Sequence, residues 1–398
     1  MNRMLTGCLG LAFLAASALP ALAYEAFQGP LGLLQKGQGT YEGYTLLAPQ
    51  DSTMTYLLDM DGRVVNEWKS EYPCFYAELL PNGNLLRGIR YDPKHVPFGG
   101  VSGGVQEIDW DGNVVWEHKI HGPRANQHHA FSRMPNGNTL IVAWQYKSYD
   151  EAVAKGRRKG TLPAKADPKA KYQYDGLWED YIVEVDKDGR EVWSWHTWDH
   201  IGKGKNKIDI NKFCSAKVYS AYAGPDWTHF NGVAYNPATN EIAITSRNLA
   251  EVYVIDYGSD KGIKYRWGNP ANYGKGAAPA GYADDGDQKL FGPHAPDWTA
   301  EGTISIMDNG HTRPSGNYTR AVELDPKKNA VVWQWKASDV RTWDWNFYSQ
   351  TQSGAQKLPN GNWLITATNT GGHTIEVMPD KRIVWEFINP MGKGDKVY

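Results

Sequence analysis

The sequence predicts an all-β fold, a six-bladed β-propeller with long loop insertions at the channel mouth. Three observations carry that expectation. A short phrase ending on tryptophan recurs six times: Asp59-Met-Asp-Gly-Arg-Val-Val-Asn-Glu-Trp68, Asp109 to Trp116, Asp186 to Trp193, Asp256 to Trp267, Asp325 to Trp333 and Pro379 to Trp385. Repeats of ~40–50 residues made of short strands build propellers or solenoids. The turn Pro-Asn-Gly-Asn stands between apolar runs at 81–84, 135–138 and 359–362. Asn-Gly is a strong hairpin signal because both residues tolerate positive φ. With 42 Gly, 22 Pro and 13% aromatics, the composition suits many turns and strands, not helices.

Residues 1–23 read as a secretory signal peptide. Arg3 supplies the positive start, Leu9 to Leu19 the apolar run, and Ala21-Leu22-Ala23 the cleavage site before Tyr24. The run is too short to span a bilayer. Leu5-Thr6-Gly7-Cys8 does not suit a lipoprotein site, because the apolar run follows the cysteine. The expected location is periplasmic or secreted, with no membrane insertion. Residues 24–398 are then expected to form one domain. A net charge of −2 gives no reason to expect a nucleic-acid partner. Cys74 and Cys214 remain after cleavage, and could pair in an oxidising compartment.

Each repeat has one internal order. An inner strand leads to a turn, a second and third strand follow, and the fourth carries Val-Val-x-x-Trp or its variant. Repeat three shows Ala130-Phe-Ser-Arg-Met, Pro135-Asn-Gly-Asn138 and Thr139-Leu-Ile-Val-Ala. Four strands in six repeats make the propeller. Repeat one starts near Tyr44 and lacks its inner strand; the tail from Phe387 to Tyr398 is expected to supply it. The tryptophans are expected to wedge between blades. Three long connections interrupt the pattern: 147–180, without a strand pattern, 198–222 and 268–290. Loops this long in a compact fold are usually functional or disordered, and they are expected to wall one end of the channel.

The histidines fall at informative places. His128 and His129 start the inner strand of repeat three, His229 that of repeat four and His294 that of repeat five. Inner strands line a propeller's channel, so three blades aim imidazoles at one small volume. Arg313 and His373 follow the second strands of repeats five and six. His118, His196 and His200 lie on or after outer strands and are set aside. Such a cluster fits two chemistries. In oxyanion transfer, one neutral imidazole attacks while the others and an arginine hold anionic oxygens. Alternatively, three or four neutral imidazoles bind a metal. The arginine argues against a cation, and no His-x-x-x-His spacing occurs.

Several longer stretches resemble a known family. They are Gln127-His-His-Ala, Trp178-Glu-Asp-Tyr-Ile-Val-Glu-Val-Asp, Trp193-Ser-Trp-His-Thr-Trp-Asp-His200, Asp226-Trp-Thr-His-Phe-Asn-Gly-Val-Ala-Tyr-Asn-Pro237, Ser246-Arg-Asn-Leu-Ala-Glu-Val-Tyr-Val-Ile-Asp256 and Phe347 to Asn362. Over most of the mature chain the sequence resembles the bacterial arylsulfate sulfotransferases that work without a nucleotide sulfate donor. The resemblance implies a periplasmic six-bladed propeller and no cofactor. It also implies a ping-pong transfer of a sulfuryl group from an aryl sulfate to a phenol. By order and motif it implies His373 as the transiently sulfated nucleophile, with His229, His294 and Arg313 holding the sulfuryl oxygens. His128 and His129 are expected beside the substrate, and no metal is called for. The alternatives are a non-catalytic propeller that binds an anionic ligand or a protein, and a histidine-cluster metalloenzyme.

Overall fold

The computed structural model describes residues 30–92, 94–162, 175–212, 224–258, 260–340 and 343–391. The leader, Cys214 and the tail beyond residue 391 therefore lie outside the described residues. Strand β1 (Gly32–Lys36) comes first. Blade one follows with β2 (Tyr44–Leu47), β3 (Met54–Asp59) and β4 (Val64–Lys69). Blade two holds β5 (Cys74–Leu79), β6 (Leu85–Arg90), β7 (Gly103–Ile108) and β8 (Val114–Lys119). Blade three holds β9 (Ala125–Arg133), β10 (Thr139–Ser148), the helix α1 (Tyr149–Ala154), β11 (Gly176–Val185) and β12 (Glu191–His196). Blade four holds β13 (Phe230–Asn236), β14 (Glu241–Ser246), β15 (Glu251–Asp256) and β16 (Ile263–Trp267). Blade five holds β17 (His294–Trp298), β18 (Ile304–Asp308), β19 (Arg320–Asp325) and β20 (Ala330–Lys336). Blade six holds β21 (Gly354–Lys357), β22 (Trp363–Ala367), β23 (His373–Val377) and β24 (Ile383–Ile388).

Each blade is an antiparallel sheet in chain order, and the inner strands of adjacent blades pack together from β5 through β9, β13 and β17 to β21. Outer-strand tryptophans tie blades one, three, five and six each to the next. Trp68 Nε1 donates to Asp109 O at 2.8 Å, Trp195 to Lys261 O at 2.8 Å and Trp333 to Pro379 O at 3.1 Å. Trp385 Nε1 donates to Met60 O at 3.0 Å and so joins blade six to blade one. In blades one, five and six the phrase-ending tryptophan makes this bond; in blade three the bond comes from Trp195, two residues on. The acceptor carbonyls sit in or beside the turn before the neighbour's outer strand, which is why the phrase and its tryptophan recur together.

Two expectations are corrected. Blade one does lack an inner strand among the described residues, but Phe387 and Ile388 stay in β24. The chain is instead joined by β1, which pairs outside β24 as a fifth strand of blade six. The insertion at 147–180 does contain regular structure. Strands β10 and β11 pair from Thr139↔Val185 to Ser148↔Gly176. Ser148 then caps α1 in a reciprocal capping box with Glu151, a motif that satisfies backbone N–H groups at a helix start. Cys74 is buried, with Sγ 3.5 Å from Tyr76 O.

Candidate functional site

Antiparallel order puts the start of every inner strand, the β-loop between strands two and three, and the exit of strand four at one end of a blade. All three insertions therefore rise from the end that carries the histidines. The inner strands bulge there. Pairing slips between Phe131 and Gln127, between Gly232 and Phe230, and between Asp297 and His294. His129 and His229 have φ of 49° and 50°, a conformation costly for non-glycine residues and frequent at functional sites. The bulge turns these side chains out of the regular in–out alternation. The histidines are staggered in height. His294 faces Met307, the fourth residue of β18, whereas His229 stands just before Phe230, which faces Ser246, the sixth of β14.

The structure brings His128, His129, His229 and His294 together and buries all four. The His129 and His229 rings lie 4.7 Å apart, and those of His128 and His229 6.5 Å apart. His128 stacks on Trp144 at 3.6 Å. Gly100 admits the His129 ring: a Cβ there would lie 1.9 Å from Cε1, and the His129 N–H donates to Gly100 O at 3.0 Å.

A common pattern governs the ring nitrogens. His229 Nδ1 donates to Asp226 Oδ2 at 2.5 Å. His294 Nδ1 faces two acceptors, Asn309 Oδ1 at 2.7 Å and Gly292 O at 3.0 Å, so it carries the proton. His129 Nδ1 shares a hydrogen bond with His128 Nδ1 at 2.8 Å. Nε2 of His129, His229 and His294 makes no hydrogen bond among the described residues. Three imidazoles thus have one nitrogen fixed and the other unengaged.

Burial, followed by the nearby His229, holds His128 and His129 well below the usual histidine range. Burial and then the Arg247 guanidinium push His294 down to about 3. These rings are neutral near pH 7, with Nε2 of His294 a lone-pair acceptor. Asp180 is raised by burial and then by Asp226. It accepts from the Thr228 hydroxyl and, at 3.0 Å, from the Phe230 N–H. His128 Nε2 approaches Asp180 Oδ1 to 3.0 Å without hydrogen-bond alignment.

Arg247 was not singled out from the sequence. It follows β14 directly, its N–H donates to His229 O at 3.1 Å, and its charge acts on His129, His294 and His311. The rule that selected Arg313 and His373, the segment after a second strand, selects Arg247 when it is applied to blade four.

Arg313 and His373 have other surroundings. No hydrogen bond, ion pair or ring contact among the described residues joins either to the histidine cluster. Arg313 is buried between Phe291 and Tyr318, at 4.5 and 4.3 Å from their ring centres. Its Nη2 donates to Asp308 Oδ2 at 2.7 Å, which Arg320 Nε also reaches at 2.8 Å. His373 opens β23, the third strand of blade six. Its Nε2 lies 2.7 Å from Glu386 Oε1 and its ring packs edge-on to Phe347 at 5.0 Å. In blade six the kink before the inner strand falls on Gln352 and Ser353, with φ of 59° and 78°. Among the described residues, no group of three or more His, Cys, Asp or Glu side chains is spaced to hold a metal ion, and no helix is long and apolar enough to cross a membrane.

The family profile described as Arylsulfotransferase (ASST) matches residues 23–385. The chain is 25% identical over 382 residues to the arylsulfate sulfotransferase AssT of Escherichia coli O6:H1, covering 81% of this chain and 58% of that protein. It is 24% identical over 356 residues to the AssT of Lelliottia amnigena, covering 75% of this chain and 54% of that protein. The chain thus spans a little over half the length of these relatives. A crystal structure of a Bacteroides caccae protein of unknown function superposes with a TM-score of 0.52 at 12% identity, covering 87% of this chain and 94% of that one. That likeness concerns the fold alone.

Proposed function

Since the chain belongs to the arylsulfotransferase family, we propose that it moves a sulfuryl group from an aryl sulfate ester to a phenolic acceptor, by a ping-pong route through a sulfohistidine at the channel-mouth cluster. The observation that carries this reading is the set of three buried imidazoles with Nδ1 fixed and Nε2 unengaged, beside the Arg247 charge. Histidine can split one displacement into two easier steps. The resemblance implied His373 as the nucleophile. The placement of His373 against Glu386 favours His229 instead, because Asp226 fixes its tautomer and balances the imidazolium that forms.

In the first half-reaction, the His229 Nε2 lone pair attacks sulfur. The sulfur–aryl oxygen bond breaks, and the phenolate leaves and takes a proton from solvent. Arg247 supplies positive charge where the sulfuryl oxygens gather density, an electrostatic stabilisation of the transition state. In the second, the acceptor's phenolic oxygen attacks sulfur, the nitrogen–sulfur bond breaks, and the acceptor's proton leaves to solvent. His294, held neutral with Nδ1 donating to Asn309, accepts a hydrogen bond from the acceptor's hydroxyl at Nε2 and orients it. The pattern of residues 1–23 supports export of the chain.

The test follows p-nitrophenol release from p-nitrophenyl sulfate, with phenol as acceptor and with and without chelator. The reading expects release that depends on phenol and survives the chelator. A folded protein that releases nothing would point to a propeller that binds an anionic ligand. Release lost to chelator would point to a metalloenzyme.

A further inference from the structure

A cavity of about 250 Å³ opens between blades five and six, apart from the histidine cluster. Its walls are mainly apolar: Trp335 from β20, Phe347, Ile375 from β23 and Ile383 from β24. Three polar side chains also line it: Asn346, and His373 and Glu386, which pair at 2.7 Å. A carboxylate only accepts, so Nε2 of the neutral ring carries the proton toward Glu386. Nδ1 is then left as a lone-pair acceptor, and it makes no hydrogen bond among the described residues.

From this cavity we infer a second ligand site, for one neutral aromatic ring bearing a hydroxyl group. The volume fits: an apolar cavity of about 150 Å³ admits benzene. The walls suit a ring face, with Phe347 standing edge-on to His373 and Trp335 buried beneath. An acceptor at His373 in a mainly apolar pocket selects a hydroxyl over a methyl group, because the unmatched analogue leaves a polar atom unpaired. The Glu386 carboxylate disfavours an anionic ligand, so the site takes the phenol and not the sulfate ester. The choice of a phenol as the natural occupant rests on the function proposed above; the preference for a ring with a hydroxyl does not.

The test is ligand-observed NMR titration with phenol and, separately, with toluene, on the full chain. It uses wild type, His373→Phe and His229→Ala, with thermal melts to verify folding. The site predicts that wild type binds phenol about tenfold more tightly than toluene, as one hydrogen bond of ordinary strength gives. His373→Phe should lose that preference and keep toluene binding, whereas His229→Ala should keep both. A second variant, Ile375→Trp, fills the cavity and should abolish toluene binding and the His373-dependent phenol binding, leaving phenol only the acceptor position at the cluster. Toluene binding that survives Ile375→Trp, or a phenol preference at the toluene-binding site that survives His373→Phe, overturns the second site. Those outcomes leave sulfuryl transfer at His229 untouched, because that is read separately from p-nitrophenol release.

Discussion

The channel-mouth cluster and the pocket between blades five and six both present a histidine with one nitrogen fixed and one unengaged, in opposite settings. In the cluster the fixing groups are Asp226 and Asn309, both buried, and a guanidinium stands near. In the pocket the fixing group is Glu386, half-buried on an outer strand, and His373 stands among mainly apolar walls. The proposed function uses the first setting for an anion that changes hands, and the proposed second site uses the other for a neutral ring that is held. Histidine alone therefore says little; what is bonded to the other nitrogen, and which charge lies near, decides its use.

The same contrast divides two arginines. Arg247 stands by the cluster and depresses three histidines, whereas Arg313 is sandwiched by two rings and bonded to a fully buried aspartate. Replacement should separate chemistry from architecture. The largest expected effect is on His229→Ala, which should lower sulfuryl transfer about 10³-fold or more with a melting temperature near wild type. Steady-state rates and thermal melts check it together. Arg313→Met should do the reverse. Asp308 keeps Arg320 and the Phe291 N–H, so losing one charge-assisted hydrogen bond should cost ~1.5–3 kcal/mol of stability, read by urea unfolding, while kcat of the folded fraction stays within about threefold. If instead kcat collapses and stability holds, Arg313 belongs to the chemistry and the contrast fails.

Asp226→Asn comes next. The amide cannot fix the Nδ1–H tautomer of His229 as a carboxylate does, so kcat should fall ~10²-fold or more with little change in KM. Nitrogen-15 chemical shifts of His229 should then report a changed tautomer, which a purely structural role for Asp226 would leave alone. The smallest effect lies deeper along the inner strands. Burial lifts the Glu78 carboxyl to about 7, although its hydrogen bond from Tyr76 at 3.0 Å opposes this. Its folded pKa exceeds the unfolded value of ~4.3, so above about pH 4.5 the unfolded chain releases this proton first. Stability is then lost as pH rises toward 7. Glu78→Gln should raise the melting temperature by roughly 1–2 °C at pH 8 and leave it unchanged at pH 4. Equal shifts at both values would remove the titration from the account.

Much of this was legible in the sequence. The phrase around Asp-Gly and its tryptophan gives strand order and blade number, because a local turn and a neighbour's carbonyl determine both. His128, His129, His229 and His294 were found because blade position is periodic. Four features were missed, and of these only Arg247 stands at a repeat-equivalent position. Pairing of β1 with β24 joins residues more than 340 apart, and no local pattern announces it. Arg247 lies one residue after a strand end, in a stretch that had been quoted only for its resemblance. The use of His373 depends on Glu386 across a strand pair, and spacing along the chain does not reveal that partner. A helix at Tyr149–Ala154 was hidden in a stretch read by its lysines and alanines, although Ser148 and Glu151 spell a capping box.

The most direct test of the central claim is to expose the protein to p-nitrophenyl sulfate without an acceptor, quench it at alkaline pH, digest it, and locate the added sulfuryl group by mass spectrometry. The account predicts the sulfuryl mass on the peptide carrying His229, discharged when phenol is added before the quench. The same mass on the peptide carrying His373, with His229 unmodified, would contradict it.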